Sequence, residues 1–140
     1  MPSQSHQSLL LWAARRMVSD GFSVTGYDGI SEQGGRWNGL SPPFPMAGVR
    51  PDAWGIHPST MMFAFAEAKT RSDIDTTHTR RQLRIFSSVK MRASGTRCPL
   101  YVAVPQSCLH TLDLVLGDMG LASAENIMAL GLPDVLLRAA

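Results

Sequence analysis

The sequence is short of cysteine, with two in 140 residues, Cys98 and Cys108. Two thiols build no disulfide framework, and neither has a zinc-like spacing to His57 or His110. Both therefore read as small buried hydrophobes. Long apolar runs are also lacking. The longest near the start, Leu9–Ala14, falls far short of the ~20 residues that span a bilayer. No basic residue precedes it, so it does not read as a signal peptide. The expectation is a soluble, cytoplasmic, intracellular protein of a bacterial or phage-infected cell, with no membrane partner. A third scarcity is local: residues 3–19 contain no acid at all.

What is present suits one folded domain over residues 1–140. Apolar residues make up 44%, enough for a core and too many for a disordered chain. Net charge is only +2, but its distribution is uneven. Eight basic residues (Lys69, Arg71, Arg80, Arg81, Arg84, Lys90, Arg92 and Arg97) face two acids, Asp73 and Asp75, between positions 69 and 97. That excess suits either a polyanion or an ordinary solvated helix face.

Periodicity gives the order of elements. Ser3–Asp20 reads as a helix, closed by Gly21. Phe22–Thr25 alternates as a short strand. Residues 27–47 are rich in glycine and proline and read as a long loop, functional or mobile. Within it, Trp37 beside Arg36 reads as a base-stacking, backbone-gripping pair, or as a tryptophan pinning the loop to the core. Val49–Ile56 is a strand whose proline restricts it to a start, an edge or a bulge. Met61–Thr70 is a third strand, and Thr77–Ala93 a second helix. "PLYVAVP", residues 99–105, reads as a strand buried on both faces. A third helix around Leu109–Met119 and a possible last strand over Glu125–Leu130 complete an α/β chain with a mixed sheet flanked by helices.

The informative stretch is "VRPDAWGIHPSTMMFAFAEAKT", residues 49–70. Side chains alternate along a strand, so Met61, Phe63, Phe65, Glu67 and Lys69 share one face. Met62, Ala64, Ala66 and Ala68 share the other, a flat face against which a helix packs closely. Pairing with the preceding strand brings Asp52 towards Glu67. Two adjacent carboxylates resist joint ionisation, and a divalent cation removes the conflict. Oxygen ligands suit Mg2+ or Mn2+. Lys69 points to the same spot and is placed to stabilise a phosphoryl transition state.

"RPDAWG", followed fifteen residues after its aspartate by "EAK", resembles the PD-(D/E)XK nuclease superfamily, which includes restriction endonucleases and Holliday-junction resolvases. The likeness covers roughly residues 3–105. It implies a restriction-endonuclease-like αβββαβ core with a C-terminal helix and a possible extra strand. It also implies a Mg2+-dependent deoxyribonuclease, more an endonuclease than an exonuclease, leaving 5′-phosphate ends. By this resemblance Asp52, Glu67 and the Ala68 carbonyl are metal ligands and Lys69 is catalytic. Gln82 and Phe86 in "QLRIF" echo a Gln-x-x-x-Tyr pattern of some branches. The echo places Gln82 over the active site; otherwise it is a glutamine at the rim of an apolar stripe.

One departure stands out. Many members carry a glutamate on the first helix, and here Gln4, His6 and Gln7 are the nearest polar residues. His6 as a ligand, Gln7 through water, and Asp28 or Glu32 from the loop are the candidate replacements. The resemblance gives DNA as the partner, held by Arg36, Trp37, Arg71, Arg80, Arg81, Arg84, Lys90 and Arg92. It also suggests a homodimer through the third helix and the tail "LPDVLLRAA". Two rival readings remain open. One is a catalytically silent nuclease-fold accessory of a phage or mobile element that binds DNA or protein; the other is an assembly module without nucleic acid.

Overall fold

The structure is a computed structural model and describes residues 3–29, 37 and 40–138. The first helix, α1 (Gln4–Ser19), starts where the Ser3 side chain accepts the His6 N–H. It stops at Gly21, whose φ of +99° only glycine adopts readily. The Gly21 and Phe22 N–H groups then take the Val18 and Met17 carbonyls, the paired bonds of a Schellman cap.

Five strands follow: β1 (Ser23–Tyr27), β2 (Ala53–Ile56), β3 (Phe63–Ala68), β4 (Leu100–Pro105) and β5 (Ile127–Leu132). Three further helices are α2 (Thr77–Ser87), α3 (Leu109–Asp118) and α4 (Asp134–Arg138). The sheet order is β1-β2-β3-β4-β5. The first two pairings are antiparallel and the last two parallel, so the sheet is mixed, as expected.

The alternation of β3 decides the layers. Ala64, Ala66 and Ala68 pack with Leu9, Leu10, Ala13, Ala14 and Met17 of α1 on one face. Small side chains there let the helix lie close, the reading drawn from the alanine repeat. Phe65 turns the other way, among Leu83 and Phe86 of α2 and Leu112, Val115 and Leu116 of α3. The strand β4 is buried throughout, which accounts for its unbroken apolar run. Cys98 and Cys108 are buried free thiols, in keeping with their number and spacing in the sequence.

Several boundaries depart from expectation; β3, for one, runs only from Phe63 to Ala68 rather than over 61–70. The strand β2 begins only at Ala53; Val49 instead forms an isolated bridge with Met46. The helix α2 ends at Ser87 rather than Ala93. There the Ser88 hydroxyl takes the Arg84 carbonyl, and the Asn126 side chain donates to the Ser87 carbonyl. Residues 90–97 then turn back on themselves in a bridge between Lys90 and Arg97. The short helix α4, next to β5, was not anticipated. Among the described residues no helix is long and apolar enough to cross a membrane.

Candidate active site

Asp52 lies one residue before β2, with its N–H donating to the Ala66 carbonyl at 3.0 Å. Its carboxylate crosses to β3, where Oδ2 accepts the Ala68 N–H at 2.8 Å. The same oxygen lies 3.2 Å from His6 Nε2, in the first turns of α1. The imidazole is held protonated more readily than usual, chiefly by this hydrogen bond with Asp52 and against the opposing effect of burial.

Glu67, near the end of β3, has no solvent exposure. Both carboxylate oxygens are buried without a hydrogen-bond partner. Lys69 Nζ lies 3.5 Å from Oε2, an ion pair by distance that does not reach hydrogen-bond geometry. Burial, and then the negative charge of Asp52, push the Glu67 carboxyl well above the usual carboxylate range, against the pull of Lys69. A buried acid in this state is expensive to ionise alone and readily accepts a cation.

Lys69 is itself nearly buried and donates to the Gln82 side-chain oxygen. Gln82 stands on the inner face of α2, one turn before Phe86, whose ring stacks on Phe65 at 6.4 Å. Three elements therefore deliver four polar side chains to one place: the entry to β2, the end of β3 and the inner face of α2. The helix α1 closes the arrangement with His6.

The cation-ligand inventory is sparse. Among the described residues, no three His, Cys, Asp or Glu side chains cluster as a complete protein metal cage. Magnesium needs only one or two carboxylates and keeps several waters, so Asp52 and Glu67 fit it. The decisive feature is that neither Glu67 oxygen accepts a hydrogen bond among the described residues, so a cation there would satisfy them.

The basic residues disperse. Arg71 sits just beyond Lys69 and donates to Ser107 Oγ at 2.7 Å, with Asp134 at 3.8 Å. It borders a groove of about 430 Å³ together with Ser5, Thr70, Ser72, Pro105 and Asp134. Arg80 pairs with Asp75 at 2.9 Å and Asp118 at 3.3 Å, and Arg81 donates to the Ala47 carbonyl. Arg84 remains exposed on α2. Lys90 and Arg92 fall beyond the end of that helix, so they do not continue its basic face. Trp37 is buried with its ring 5.9 Å from that of Tyr27, in the loop-pinning place. Asp28 pairs with Arg50 at 3.4 Å. Arg36 and Glu32 lie outside the described residues.

Reading the sequence missed two features. Tyr27, at the end of β1, is buried with an unpartnered hydroxyl and feels the charge of Asp52. Ser107 and Asp134, each two residues past the end of β4 or β5, brace Arg71. No local pattern marks either, since each depends on contacts between distant segments.

No family model and no curated protein matches the sequence. Among solved structures, a repair endonuclease from Pyrococcus abyssi is similar, with 14% identity and a TM-score of 0.45 over 95% of this chain. The chain spans about half the length of that protein, 48%.

Proposed function

We propose that this protein is a divalent-metal-dependent nuclease that hydrolyses DNA phosphodiester bonds. One observation carries the reading: Asp52, Glu67 and Lys69 converge, and neither buried Glu67 oxygen accepts a hydrogen bond among the described residues. Structural ion pairs normally arrive satisfied. Asp52, Glu67 and the Ala68 carbonyl would hold Mg2+ or Mn2+. When bound, the cation supplies Lewis-acid polarisation of a phosphate oxygen.

The remaining chemistry belongs to the chain. Lys69 Nζ orients an attacking water and stabilises the charge gathering on phosphorus. Gln82 fixes the ammonium in place through its side-chain oxygen. The new bond joins the water oxygen to phosphorus, and the bond to the 3′ oxygen breaks. The proton the water loses passes through solvent to the departing 3′ oxygen, and the phosphate stays on the 5′ end. Arg71, held by Ser107, offers its guanidinium to a neighbouring backbone phosphate along the groove. Endonucleolytic action, on a junction or another DNA structure, is the reading that follows from the resemblance. A homodimer would supply two such sites for two strands, with exposed Leu114, Val135 and Leu136 offering apolar surface.

A second reading is a catalytically silent DNA-binding protein. It is favoured by His6, which occupies Asp52 Oδ2 at 3.2 Å. The experiment that separates the two is incubation with supercoiled, linear, single-stranded and branched DNA in Mg2+ or Mn2+. Lys69→Ala and Glu67→Ala are run in parallel. Cleavage by the natural chain that falls at least ~100-fold in both variants supports the nuclease. Cleavage surviving both substitutions contradicts the site, and binding without cleavage supports the silent reading.

A further inference from the structure

Phe65 is buried among residues of α2 and α3, but the rings beside it on the same sheet face are not fully covered. Trp54 pairs with Phe65 across β2 and β3, so alternation puts it on the face that also carries Phe63 and Glu67. Its indole leans over β1 at Gly26, where a Cβ would collide with it. Phe63 and Phe44 each meet Trp54 in an edge contact, with ring centres at 5.4 and 5.2 Å. Trp54 and Phe63 are partly exposed, and Phe44 is 45% exposed. The three rings form an aromatic shelf open to solvent.

The arm that carries Phe44 is tied down on both sides of the ring. Pro43 and Pro45 fix the flanking backbone. Ahead of them the Ser41 carbonyl accepts the Tyr27 N–H at 3.2 Å. Behind them Met46 and Val49 exchange backbone hydrogen bonds at 2.6 and 2.9 Å around Ala47 and Gly48, both at positive φ, which makes a tight turn. Arg81 of α2 donates to the Ala47 carbonyl at 2.7 Å. A ring set in advance costs a ligand little in ordering. Two links join the shelf to the candidate site. Trp54 follows Asp52 by two residues, about 7 Å along a strand. Arg81 directly precedes Gln82, which receives the Lys69 ammonium.

Charge narrows the occupant. From position 41 to 66 the only charged side chains, His57 aside, are Arg50 and Asp52. Arg81 stays exposed, with Arg84 exposed three residues on along the same helix side. Flat apolar rings with guanidinium groups nearby, and no acid but the one assigned to the cation, suit a ligand of flat bases strung on phosphates. A blunt duplex keeps its base faces inside the stack and offers the rings nothing. We infer that Phe44, Trp54 and Phe63 stack unpaired bases of a DNA strand leading into the candidate site, with Arg81 on its backbone. The substrate is then DNA with a single-stranded stretch beside the cleaved bond. The inference rests on the nuclease reading above and names its substrate class.

Fluorescence anisotropy with the full chain tests it, in chelator and again with Mg2+ in a Lys69→Ala background. The probes are a labelled oligothymidylate of about 15 nucleotides and a blunt duplex of the same length. Phe44 is half exposed, so Phe44→Ala leaves the core intact, and circular dichroism checks its folding. That variant should bind the oligothymidylate at least about 5-fold more weakly, the lower end for one base stacked on one ring, with duplex binding unchanged. Phe44→Tyr keeps the ring and should bind as the natural chain does. Unchanged oligothymidylate affinity in Phe44→Ala overturns the inference and leaves the shelf to a protein partner. So does an equal loss on both probes, or a Phe44→Tyr chain that binds no better than Phe44→Ala. If the natural chain binds the duplex and not the oligothymidylate, the shelf fails and the nuclease reading stands. If neither probe binds in either condition, the nuclease reading fails with it.

Discussion

Glu67→Gln should alter the pH dependence of stability in a way that few buried substitutions can. In the metal-free fold the Glu67 carboxyl is raised well above its ordinary 4.5 by burial and by Asp52. Between that value and the folded-state value, the folded chain holds a proton that the unfolded chain releases. Stability therefore falls as pH rises through this window, by at most about 1.4 kcal/mol per pH unit for one proton. His6 acts in the same direction above 6.5, because the hydrogen bond with Asp52 raises it. The amide of Glu67→Gln carries no titrating proton, so its curve should be flatter. The variant should gain on the natural chain as pH rises. Urea denaturation in chelator at several values from pH 5 to 8 measures this directly. Added Mg2+ should restore the natural protein at pH 8 and leave Glu67→Gln unmoved. Parallel stability curves for the two proteins would mean that Glu67 does not hold a proton in the folded chain.

Other substitutions test the scaffold and the groove. Tyr101→Phe removes a 2.7 Å hydrogen bond to Asp20 from a fully buried ring, and should cost about 1–2 kcal/mol in chemical denaturation. Gly55→Ala would set a Cβ 2.5 Å from the Ser23 carbonyl oxygen across the β1–β2 pair, and should destabilise by about 1–3 kcal/mol, read as a lower thermal midpoint. Arg71→Ala should weaken DNA binding evenly across sequences and reduce the slope of log affinity against log salt by about 1, measured by fluorescence anisotropy. An unchanged slope would remove Arg71 from the DNA path.

The strand that carries the site was legible because its alternation is local. Ala64, Ala66 and Ala68 on one side, and Phe65, Glu67 and Lys69 on the other, follow from the two-residue period alone. Their packing against α1 and α2 follows from side-chain size. The end of α2 was not legible, because Asn126 satisfies the Ser87 carbonyl from a segment 39 residues away. For the same reason the sequence left several candidates for the missing first-helix acid, and the fold sets one of them, His6, against Asp52, 46 residues away in the chain. The basic run looked continuous in one dimension. In the fold it breaks where α2 stops, and Arg80 turns to Asp75 and Asp118 instead of standing free. Tyr27 escaped notice because a tyrosine at a strand end is ordinary, and only its unpartnered buried hydroxyl distinguishes it.

The central claim is that Asp52 and Glu67 jointly hold a divalent cation beside Lys69. Anomalous diffraction from Mn2+-soaked crystals tests it most directly. One peak is expected between the two carboxylates, at about 2.0–2.2 Å from an oxygen of each. A Mn2+ peak elsewhere on the chain, with Glu67 still unligated and His6 still on Asp52, would contradict it.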